Sequence, residues 1–373
     1  MPFAFLAPPE IRFGSGESRR LPEILARFGR RPFLVTGART ADRFAFLAAL
    51  GNVPRFAVSG EPDVATVDEA ARRAREAGAD VVCAVGGGSA LDTGKAVSAM
   101  AVHEGSVLEY LEQVGTGRTL DRPPLPFVAV PTTAGSGSEA TKNAVLRVPE
   151  RRVKRSLRHD RLMPRTAIVD PDLAAAAPPA VAASAGLDAL THLLEGFVST
   201  GAGPMTDALA RPGLARAARG LEGLARGAPD AESMALASLW GGLVLANAGL
   251  GAVHGLVAPL GGRFAIPHGL GCAALLVDTL RANLRALRTR APASPALERY
   301  AEAARLFGAR DPEELLERLA DLRRRLGVPR LAAYGVSEAD VEPIVRDSRG
   351  GSMRFNPIEL SDGELAEAVR AAL

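Results

Sequence analysis

The sequence predicts an α/β domain with a parallel sheet in residues 1–175, followed by an all-helical domain in residues 176–373. In the first part, short runs rich in β-branched and aromatic residues alternate with helical patterns. This alternation is typical of a parallel sheet with helices on both faces. After about Leu173 strand-like runs nearly disappear, and helical patterns rich in Ala, Leu, Glu and Arg continue to Leu373. The pair Pro178–Pro179 marks the change.

The individual elements follow from local hydrophobic patterns and turn residues. Strands are predicted at residues 32–36, 55–59, 80–85, 127–130 and 166–170. Helices are predicted from the end of the first strand to about Leu50, and at 67–77 and 88–101. The basic stretch 144–158 is predicted to form a hairpin.

Length and composition exclude several classes of protein. A chain of 373 residues with 47% apolar content is too long for one typical core, which favours two domains. Basic and acidic residues total 45 and 42, so the net charge is only +3. No basic cluster is interleaved with aromatic residues, and nucleic acid is therefore not an expected partner.

The termini, cysteines and longest apolar stretch indicate a cytoplasmic protein without a membrane span. Residues 1–10 lack the basic and apolar regions of a signal peptide. Cys83 and Cys272 are far apart in apolar surroundings, which is typical of buried free thiols in a reducing compartment. Residues 233–262 carry no charge but contain seven glycines, so a buried helix pair is expected there.

A glycine-rich segment, Val-Gly-Gly-Gly-Ser-Ala-Leu-Asp-Thr-Gly-Lys at 85–95, follows a buried strand and opens a helix. Glycines let a backbone approach a pyrophosphate, and a helix N-terminus attracts anions. A glycine triplet alone is equally typical of a tight turn, and the spacing differs from the G-x-G-x-x-G fingerprint. Asp92 and Lys95 on the following turns favour a functional segment.

A second polar loop follows the next predicted strand. Residues 131–142 read Pro-Thr-Thr-Ala-Gly-Ser-Gly-Ser-Glu-Ala-Thr-Lys and offer five hydroxyl side chains. Alone, this loop could equally be structural. Two such loops at successive strand ends together indicate a shared nucleotide ligand.

One carboxylate and three histidines in the helical domain could form a metal site. Asp188 and His192 are four residues apart, so a helix places them on one face. His254 and His268 also lie in apolar segments. Each histidine alone is more typical of a core residue, but the four together suit Fe²⁺, Zn²⁺ or Mn²⁺.

These motifs, in this order and spacing, resemble the iron-containing (group III) alcohol dehydrogenases. The resemblance rests on residues 86–95, 131–141, 186–195 and 254–268 and on the element Phe355-Asn356-Pro357. It implies a Rossmann-like first domain, a helical second domain, the architecture shared with dehydroquinate synthase, and a homodimer. It also implies NAD(P)(H)-dependent interconversion of alcohols with aldehydes or ketones, assisted by Fe²⁺ as a Lewis acid.

The resemblance also implies a role for individual residues. The metal ligands would be Asp188, His192, His254 and His268. The pyrophosphate and nicotinamide would be held by Gly87, Gly88, Ser89 and Asp92, and Thr132, Thr133 and Ser136 would line the cofactor site. Lys154 would lie near the ribose, Leu173 beside the adenine, and Asn143 would face the substrate.

Two positions depart from the family pattern. Ala258 stands where many members carry a histidine thought to relay protons, so no catalytic proton donor is assigned. Gly37 follows the first strand where strict NAD users often carry an acidic residue, and Arg39 could pair with a 2′-phosphate, so NADPH should be accepted.

Three alternatives have specific requirements. A maleylacetate-type reductase of an acidic substrate could use Arg354 for the carboxylate. A dehydroquinate synthase-like cyclase needs extra basic residues, yet the helical domain contains no lysine. A non-catalytic binding protein would be supported only by Ala258.

Overall fold

The structure, a computed structural model, describes residues 3–40 and 43–373 and divides into two compact units. The α/β unit comprises residues 6–133 and 137–177. The helical unit comprises residues 178–373, the segment 134–136 and residues 3–5 at the start of the described chain. The main crossing between units thus lies at Ala177 and Pro178, and three residues of the second polar loop belong to the helical unit.

The α/β unit is built on a six-stranded parallel sheet. Its strands along the chain are β1 (Glu10–Phe13), β2 (Pro32–Gly37), β3 (Arg55–Val58), β4 (Val81–Gly86), β5 (Phe127–Pro131) and β8 (Thr166–Val169). Their order in the sheet is β1-β8-β5-β4-β2-β3. Strands β6 (Asn143–Val148) and β7 (Val153–Arg158) form the separate antiparallel hairpin that the sequence predicts. The parallel sheet confirms the predicted fold class.

Four α-helices accompany these strands among the described residues. They are α1 (Leu21–Ala26), α2 (Val64–Glu76), α3 (Gly88–Met100) and α4 (Pro171–Ala175). Buried apolar side chains form a layer on each face of the sheet. Strands β4 and β5 are buried along their whole length, as expected for central parallel strands that are covered on both faces.

The predicted α-helix after β2 is wrong over most of its length. Residues 41 and 42 lie outside the described residues, and only Ala45–Leu50 form a helix, of the 3-10 type. A turn in which the Thr40 N–H donates to the Gly37 carbonyl precedes it, and Gly51 at φ 64° ends it. These turns leave too few residues for a regular α-helix.

The helical unit contains the remaining α-helices of the described chain. They are α5 (Pro179–Val198), α6 (Pro204–Ala225), α7 (Ala231–Ala248), α8 (Ala252–Arg263), α9 (His268–Arg290), α10 (Pro295–Leu306), α11 (Pro312–Arg325), α12 (Glu338–Ser348) and α13 (Asp362–Ala372). They enclose one large apolar core. In the described residues no single helix is long and apolar enough to span a membrane; α7 and α8 meet that criterion only as a pair bent by 100°.

The strand order reverses between β2 and β4. From β2 the chain proceeds to β3 on one side, whereas from β4 it proceeds through α3 to β5 on the other. The carboxyl ends of β2 and β4, at Gly37 and Gly86, are neighbours in this arrangement. Ligands of open α/β sheets bind at such a reversal, which directs attention to the glycine-rich segment.

Candidate nucleotide site and metal centre

The glycine-rich segment lies at the reversal of strand order, where backbones approach closely. A Cβ atom on Gly86 would come within 2.6 Å of the Ala90 Cβ and 3.1 Å of the Gly37 nitrogen. Only glycine therefore fits between β2 and the first turn of α3. Gly87 precedes α3, and Gly88 and Ser89 open it, so the positive end of the helix dipole lies beside these residues.

The second polar loop is joined to the first. The Thr132 N–H donates to the Gly86 carbonyl at 2.9 Å. The Thr133 hydroxyl oxygen lies 3.3 Å from the position that a Gly87 Cβ would take. The structure therefore brings Gly37, Gly87 and both threonines together at the carboxyl edge of the sheet.

Asp92 and Lys95, both on α3, form hydrogen bonds with the second polar loop, and Lys95 also bonds to the start of β6. Lys95 is fully buried, and its ammonium group donates to the hydroxyls of Ser138 and Thr141, both at 2.9 Å, and to the Asn143 carbonyl at 2.7 Å. Asp92 accepts from the Ser138 hydroxyl at 2.6 Å. Burial lowers the pKa of Lys95 to about 8 and raises that of Asp92. Both side chains thus bind the protein itself, a structural contribution that the sequence alone did not reveal.

The other expected cofactor residues lie in different settings. The Lys154 ammonium, on β7, is buried and forms an ion pair with half-buried Glu61 at 2.6 Å. Leu173, in α4, is 5% exposed and packs in the apolar layer on one face of the sheet. Ser136 belongs to the segment assigned to the helical unit. Asn143 begins β6, and its side chain is half-buried.

Four predicted metal ligands converge in the helical unit. Asp188 and His192 lie one turn apart on α5, His254 is in the first turn of α8, and His268 begins α9. The Asp188 Oδ1 atom lies 3.7, 3.6 and 3.8 Å from the Nε2 atoms of His192, His254 and His268, respectively. Three separate helices therefore bring three imidazole nitrogens to within 3.8 Å of one Asp188 oxygen.

The donor set fits a divalent cation. Asp188 is buried, yet its Oδ1 atom has no hydrogen-bond donor within reach among the described residues. Burial opposes the charge of Asp188, but the three imidazoles outweigh it and hold the pKa well below its usual range. Burial lowers the pKa of His192 to about 4, so this imidazole is neutral near neutral pH. An unpartnered carboxylate oxygen facing imidazole nitrogens is the arrangement that a metal ion would satisfy.

Glu195, one turn beyond His192 on α5, orients His254. One Glu195 oxygen accepts from the His254 Nδ1 atom and the other from the Val253 N–H, each at 2.6 Å. Donation from Nδ1 leaves the His254 Nε2 atom to face Asp188, an arrangement typical of metal-bound histidines. Gly251 makes room, because a Cβ there would lie 2.9 Å from a Glu195 oxygen. The charge of Glu195 also suits the N-terminus of α8.

The predicted terminal element supports the same helix. Asn356 is buried, and its side-chain oxygen accepts from the Ala252 N–H at 3.0 Å, in the first turn of α8. Its amide group donates to the Asn283 side chain at 2.7 Å. Asn356 therefore helps to hold the helix that carries His254, whereas neighbouring Arg354 is exposed and stacks on Phe355.

The thiol of Cys272 is a further group at the metal centre, which the sequence interpretation missed. Its Sγ atom lies 3.6 Å from the Nε2 atom of His254 and 3.8 Å from that of His268. Cys272 follows His268 by four residues on α9, a spacing that could have revealed the proximity. Burial raises the pKa of Cys272 to about 12.

The two histidines outside this cluster belong to the α/β unit. His103 Nδ1 pairs with the Ala99 carbonyl at 2.8 Å, and the His159 Nδ1 atom accepts from the Arg161 N–H at 3.0 Å. Ala258 lies one turn beyond His254 on α8 and is half-buried.

A parallel sheet with a glycine-lined reversal of strand order, together with a carboxylate–histidine cluster in a helical unit, is typical of metal-dependent enzymes that use a nucleotide cofactor. Comparison with known families agrees with this class. Residues 8–171 match the iron-containing alcohol dehydrogenase family, and residues 182–373 match the C-terminal region of the Fe-containing alcohol dehydrogenase family.

Individual proteins give the same result. A long-chain-alcohol dehydrogenase of Geobacillus thermodenitrificans is 35% identical over 84% of this chain and 80% of its own. A crystal structure of 1,3-propanediol oxidoreductase superposes with a TM-score of 0.88 at 31% identity, covering 100% of both chains. The NAD⁺ complex of sulfoacetaldehyde reductase from Bifidobacterium kashiwanohense has a TM-score of 0.87 at 29% identity, covering 100% of this chain and 99% of that chain.

The chain therefore belongs to the iron-containing alcohol dehydrogenase family, as the sequence motifs predict. It is a metal-dependent oxidoreductase of the alcohol dehydrogenase and aldehyde reductase type.

Proposed function

We propose that Asp188, His192, His254 and His268 bind one divalent cation, Fe²⁺ in the native enzyme, with Zn²⁺ and Mn²⁺ as alternatives. The convergence of three Nε2 atoms on one Asp188 oxygen, at 3.6–3.8 Å, carries this proposal. The cation would supply Lewis-acid polarisation of the substrate oxygen during hydride exchange with a nicotinamide. Glu195 keeps His254 in the tautomer that can bind it.

The test compares two histidine variants. His254→Ala should lose most metal and activity while the fold survives, because one of four ligands is removed. His159→Ala, in the α/β unit, is the matched control and should retain both. Metal content per chain by elemental analysis, together with circular dichroism, measures the result. Retention of full activity by His254→Ala after chelator treatment would show that the ligand assignment is wrong.

The nicotinamide dinucleotide would bind at the reversal of strand order. Close backbone approach at Gly86 and the positive end of α3 support pyrophosphate binding by Gly87, Gly88 and Ser89. The adjacent Thr132 and Thr133 hydroxyls, with Ser136, would complete the polar lining. Asp92 would act by holding the polar loop through its bond to Ser138. The NAD⁺ complex of sulfoacetaldehyde reductase supports this cofactor class.

Three further residues complete the proposed cofactor and substrate contacts. Lys154 would approach the ribose while paired with Glu61, and Leu173 would contribute apolar surface near the adenine. Asn143 would face the substrate from the start of β6. Loss of these side chains should raise the Michaelis constant of the cofactor or of the substrate, respectively, without reducing metal content.

NADPH should be accepted as well as NADH. Gly37 ends β2 without a carboxylate to repel a 2′-phosphate, and Arg39, two residues on, is exposed. Arg39→Ala should raise the Michaelis constant for NADPH but not for NADH. Arg30→Ala, an exposed arginine just before the opposite end of β2, is the control. A Michaelis constant for NADPH far above that for NADH in the unmodified enzyme would contradict this proposal.

The substrate would be a small alcohol or aldehyde. The enzyme would be a homodimer located in the cytoplasm. The named activities of the propanediol and sulfoacetaldehyde enzymes support the chemical class. A panel of aldehydes and alcohols with both cofactors, alongside elemental analysis and light scattering, tests substrate, metal and assembly together. Absence of turnover by metal-loaded protein across such a panel would argue against this substrate class.

A further inference from the structure

We propose that Cys272 is a fifth donor at the metal centre, binding the cation through its sulfur. This inference rests on the proposed metal site. Cys272 lies one turn after His268 on α9, so its side chain points from the same face of the helix. Its Sγ atom lies 3.6 Å from the His254 Nε2 atom and 3.8 Å from that of His268. One donor atom each from Asp188, His254, His268 and Cys272 all lie within 4.8 Å of one another.

These separations match those around a cation. With metal–nitrogen distances of about 2.1 Å and metal–sulfur distances of about 2.3 Å, the 120° angles of a five-coordinate centre separate two nitrogens by about 3.6 Å and nitrogen from sulfur by about 3.8 Å. The Asp188 Oδ1 atom lies 3.6 and 3.8 Å from the Nε2 atoms of His254 and His268. The Cys272 sulfur lies at the same two distances from these nitrogens, so it is equally well placed to bind the cation. Asp188, buried with an unpartnered oxygen aimed at the same point, independently indicates a ligand there.

When the centre binds a cation, the chemistry favours a metal–sulfur bond from Cys272 over a thiol that only packs nearby. In the absence of a cation, the thiol can donate its single proton to one imidazole nitrogen. When those nitrogens bind a cation, their lone pairs are occupied and the thiol loses its acceptors. Forming a metal–sulfur bond, with the thiol proton released to solvent, satisfies the sulfur and adds negative charge beside the cation.

A sulfur ligand would change which ions the centre retains. Thiolates favour Zn²⁺ and other soft or borderline ions, whereas Mn²⁺ prefers oxygen donors. The protein should therefore discriminate more strongly between Zn²⁺ and Mn²⁺ than a centre of one carboxylate and three imidazoles. Cys272 would thus be a residue that determines metal specificity.

The test uses full-length protein stripped by a chelator and reloaded with one equivalent of Co²⁺, an optical probe of cobalt coordination. A cobalt–thiolate bond produces a sulfur-to-metal charge-transfer band in the near ultraviolet, separate from the visible bands of bound Co²⁺. We expect this band in the unmodified protein and in Cys83→Ser, whose buried cysteine is in β4 of the α/β unit. It should be absent from Cys272→Ser, which should still show visible Co²⁺ bands.

Metal affinity provides a second readout. Loss of a residue that only hydrogen-bonds to a metal ligand typically weakens metal binding by roughly 10–100-fold. Cys272→Ser removes a direct ligand, so it should weaken Zn²⁺ binding by at least this factor. It should weaken Mn²⁺ binding less. Visible cobalt bands without the charge-transfer band in the unmodified protein would overturn the inference while leaving the four-ligand site intact. So would a band that persists in Cys272→Ser. If the protein binds no Co²⁺ at all, the proposed metal site itself is wrong, and this inference falls with it.

Discussion

At the scale of single residues, the proposed metal centre would depend on Glu195, a carboxylate that is not itself among the proposed ligands. Glu195 joins His254 to the first turn of α8, because its two oxygens accept from the ring and from the Val253 backbone. It is buried, so replacement removes bonds that water cannot readily restore. Its contribution is to fix the tautomer and direction of one ligand.

Glu195→Gln should therefore weaken metal binding without abolishing it. A glutamine amide can still contact the helix, but it no longer imposes a hydrogen bond from Nδ1. We expect a loss of about 10–100-fold in Zn²⁺ affinity, measured by competition with a chromophoric chelator. Glu298→Gln, at an exposed glutamate on α10, is the control. Unchanged affinity in Glu195→Gln would show that His254 is held by packing alone.

A second prediction at this scale concerns Ala258 and proton delivery to the substrate. It lies one turn beyond His254, where a histidine would share its helix face. Aldehyde reduction requires a proton, and without a protein relay the pH profile of the chemical step should lack an inflection near the histidine pKa of about 6.5. Ala258→His should raise aldehyde reduction near neutral pH, by less than the 10²–10⁴-fold typical of general acids.

Single-turnover rates across pH provide the measurement. His103 and His159 serve as the internal comparison because both belong to the α/β unit and bond to nearby backbone groups. A histidine-like inflection in the unmodified enzyme that disappears on changing either one would show that a relay exists elsewhere.

The predictability of the centre differs from residue to residue. Asp188 and His192 could be paired because four residues make one helical turn. His254 and His268 lie on other helices, so residue spacing could not place them beside that pair; their apolar settings in the same domain suggested the grouping, and the family resemblance supported it. The sequence predicts only a buried free thiol at Cys272, because apolar neighbours in sequence do not reveal which polar atoms lie across the fold. Tertiary packing supplies that information.

At the scale of elements, α3, which carries part of the proposed nucleotide site, packs very closely against the sheet. A Cβ atom on Gly94 would lie 2.7 Å from the Ala84 Cβ on β4 and 2.8 Å from the Phe127 ring on β5. Both contacts are far inside van der Waals distance, so α3 would have to shift away from both strands. Since α3 also carries Ser89, Asp92 and Lys95, such a shift would disturb the loops above it.

Gly94→Ala should therefore destabilise the protein although alanine favours helix. Alanine gains about 1 kcal/mol in helix propensity, but overpacking costs about 1–3 kcal/mol. We expect a lower thermal midpoint and a raised Michaelis constant for the cofactor. Gly363→Ala, on α13 with its nearest neighbour at 3.9 Å, is the matched control and should not lower the midpoint. A Gly94→Ala midpoint at or above that of the parent would contradict this packing argument.

Elements with strong hydrophobic runs were predictable, and those with weak ones were not. The central strands β4 and β5 consist of apolar residues throughout, and the hairpin β6–β7 follows from a compact turn at Pro149–Arg152. Strand β1 has only four residues, including two charged ones, and it exists because it pairs with β8 at the sheet edge. Such a strand depends on its partner rather than on its own pattern.

At the scale of the whole molecule, a carboxyl group buried within the second polar loop should make stability depend on pH. Glu139, in the 3-10 helix Ser138–Ala140, is 1% exposed, and its Oε2 atom has no hydrogen-bond partner among the described residues. Burial raises the pKa of Glu139 from 4.5 to about 7, against the attraction of Lys95. The folded chain therefore retains a proton that the unfolded chain releases.

The direction of the effect follows from this difference in pKa. Below about pH 4.5 the carboxyl is protonated in both states, so burial carries no charge penalty. Between about 4.5 and 7 the unfolded chain binds fewer protons than the folded one, so the free energy of unfolding decreases as pH rises. Above about pH 7 the penalty is complete, at about 3 kcal/mol for a shift of this size.

Glu139→Gln replaces the titrating carboxyl group with an amide that does not titrate. Comparison with the unmodified protein should therefore isolate the contribution of Glu139 to the pH dependence of the free energy of unfolding. The free energy of unfolding of the unmodified protein, minus that of Glu139→Gln, should fall by about 3 kcal/mol from pH 4.5 to pH 8. Urea denaturation of metal-stripped protein at several pH values measures this difference without metal release during the transition. Glu298→Gln, at a glutamate whose side chain is 78% exposed, is the control. A difference that stays constant with pH would contradict this prediction. It would mean that Glu139 is ionised in the folded protein throughout this range, because Lys95 holds it in the charged form. Glu139 and Lys95 would then be a buried ion pair rather than a neutral acid beside an ammonium group.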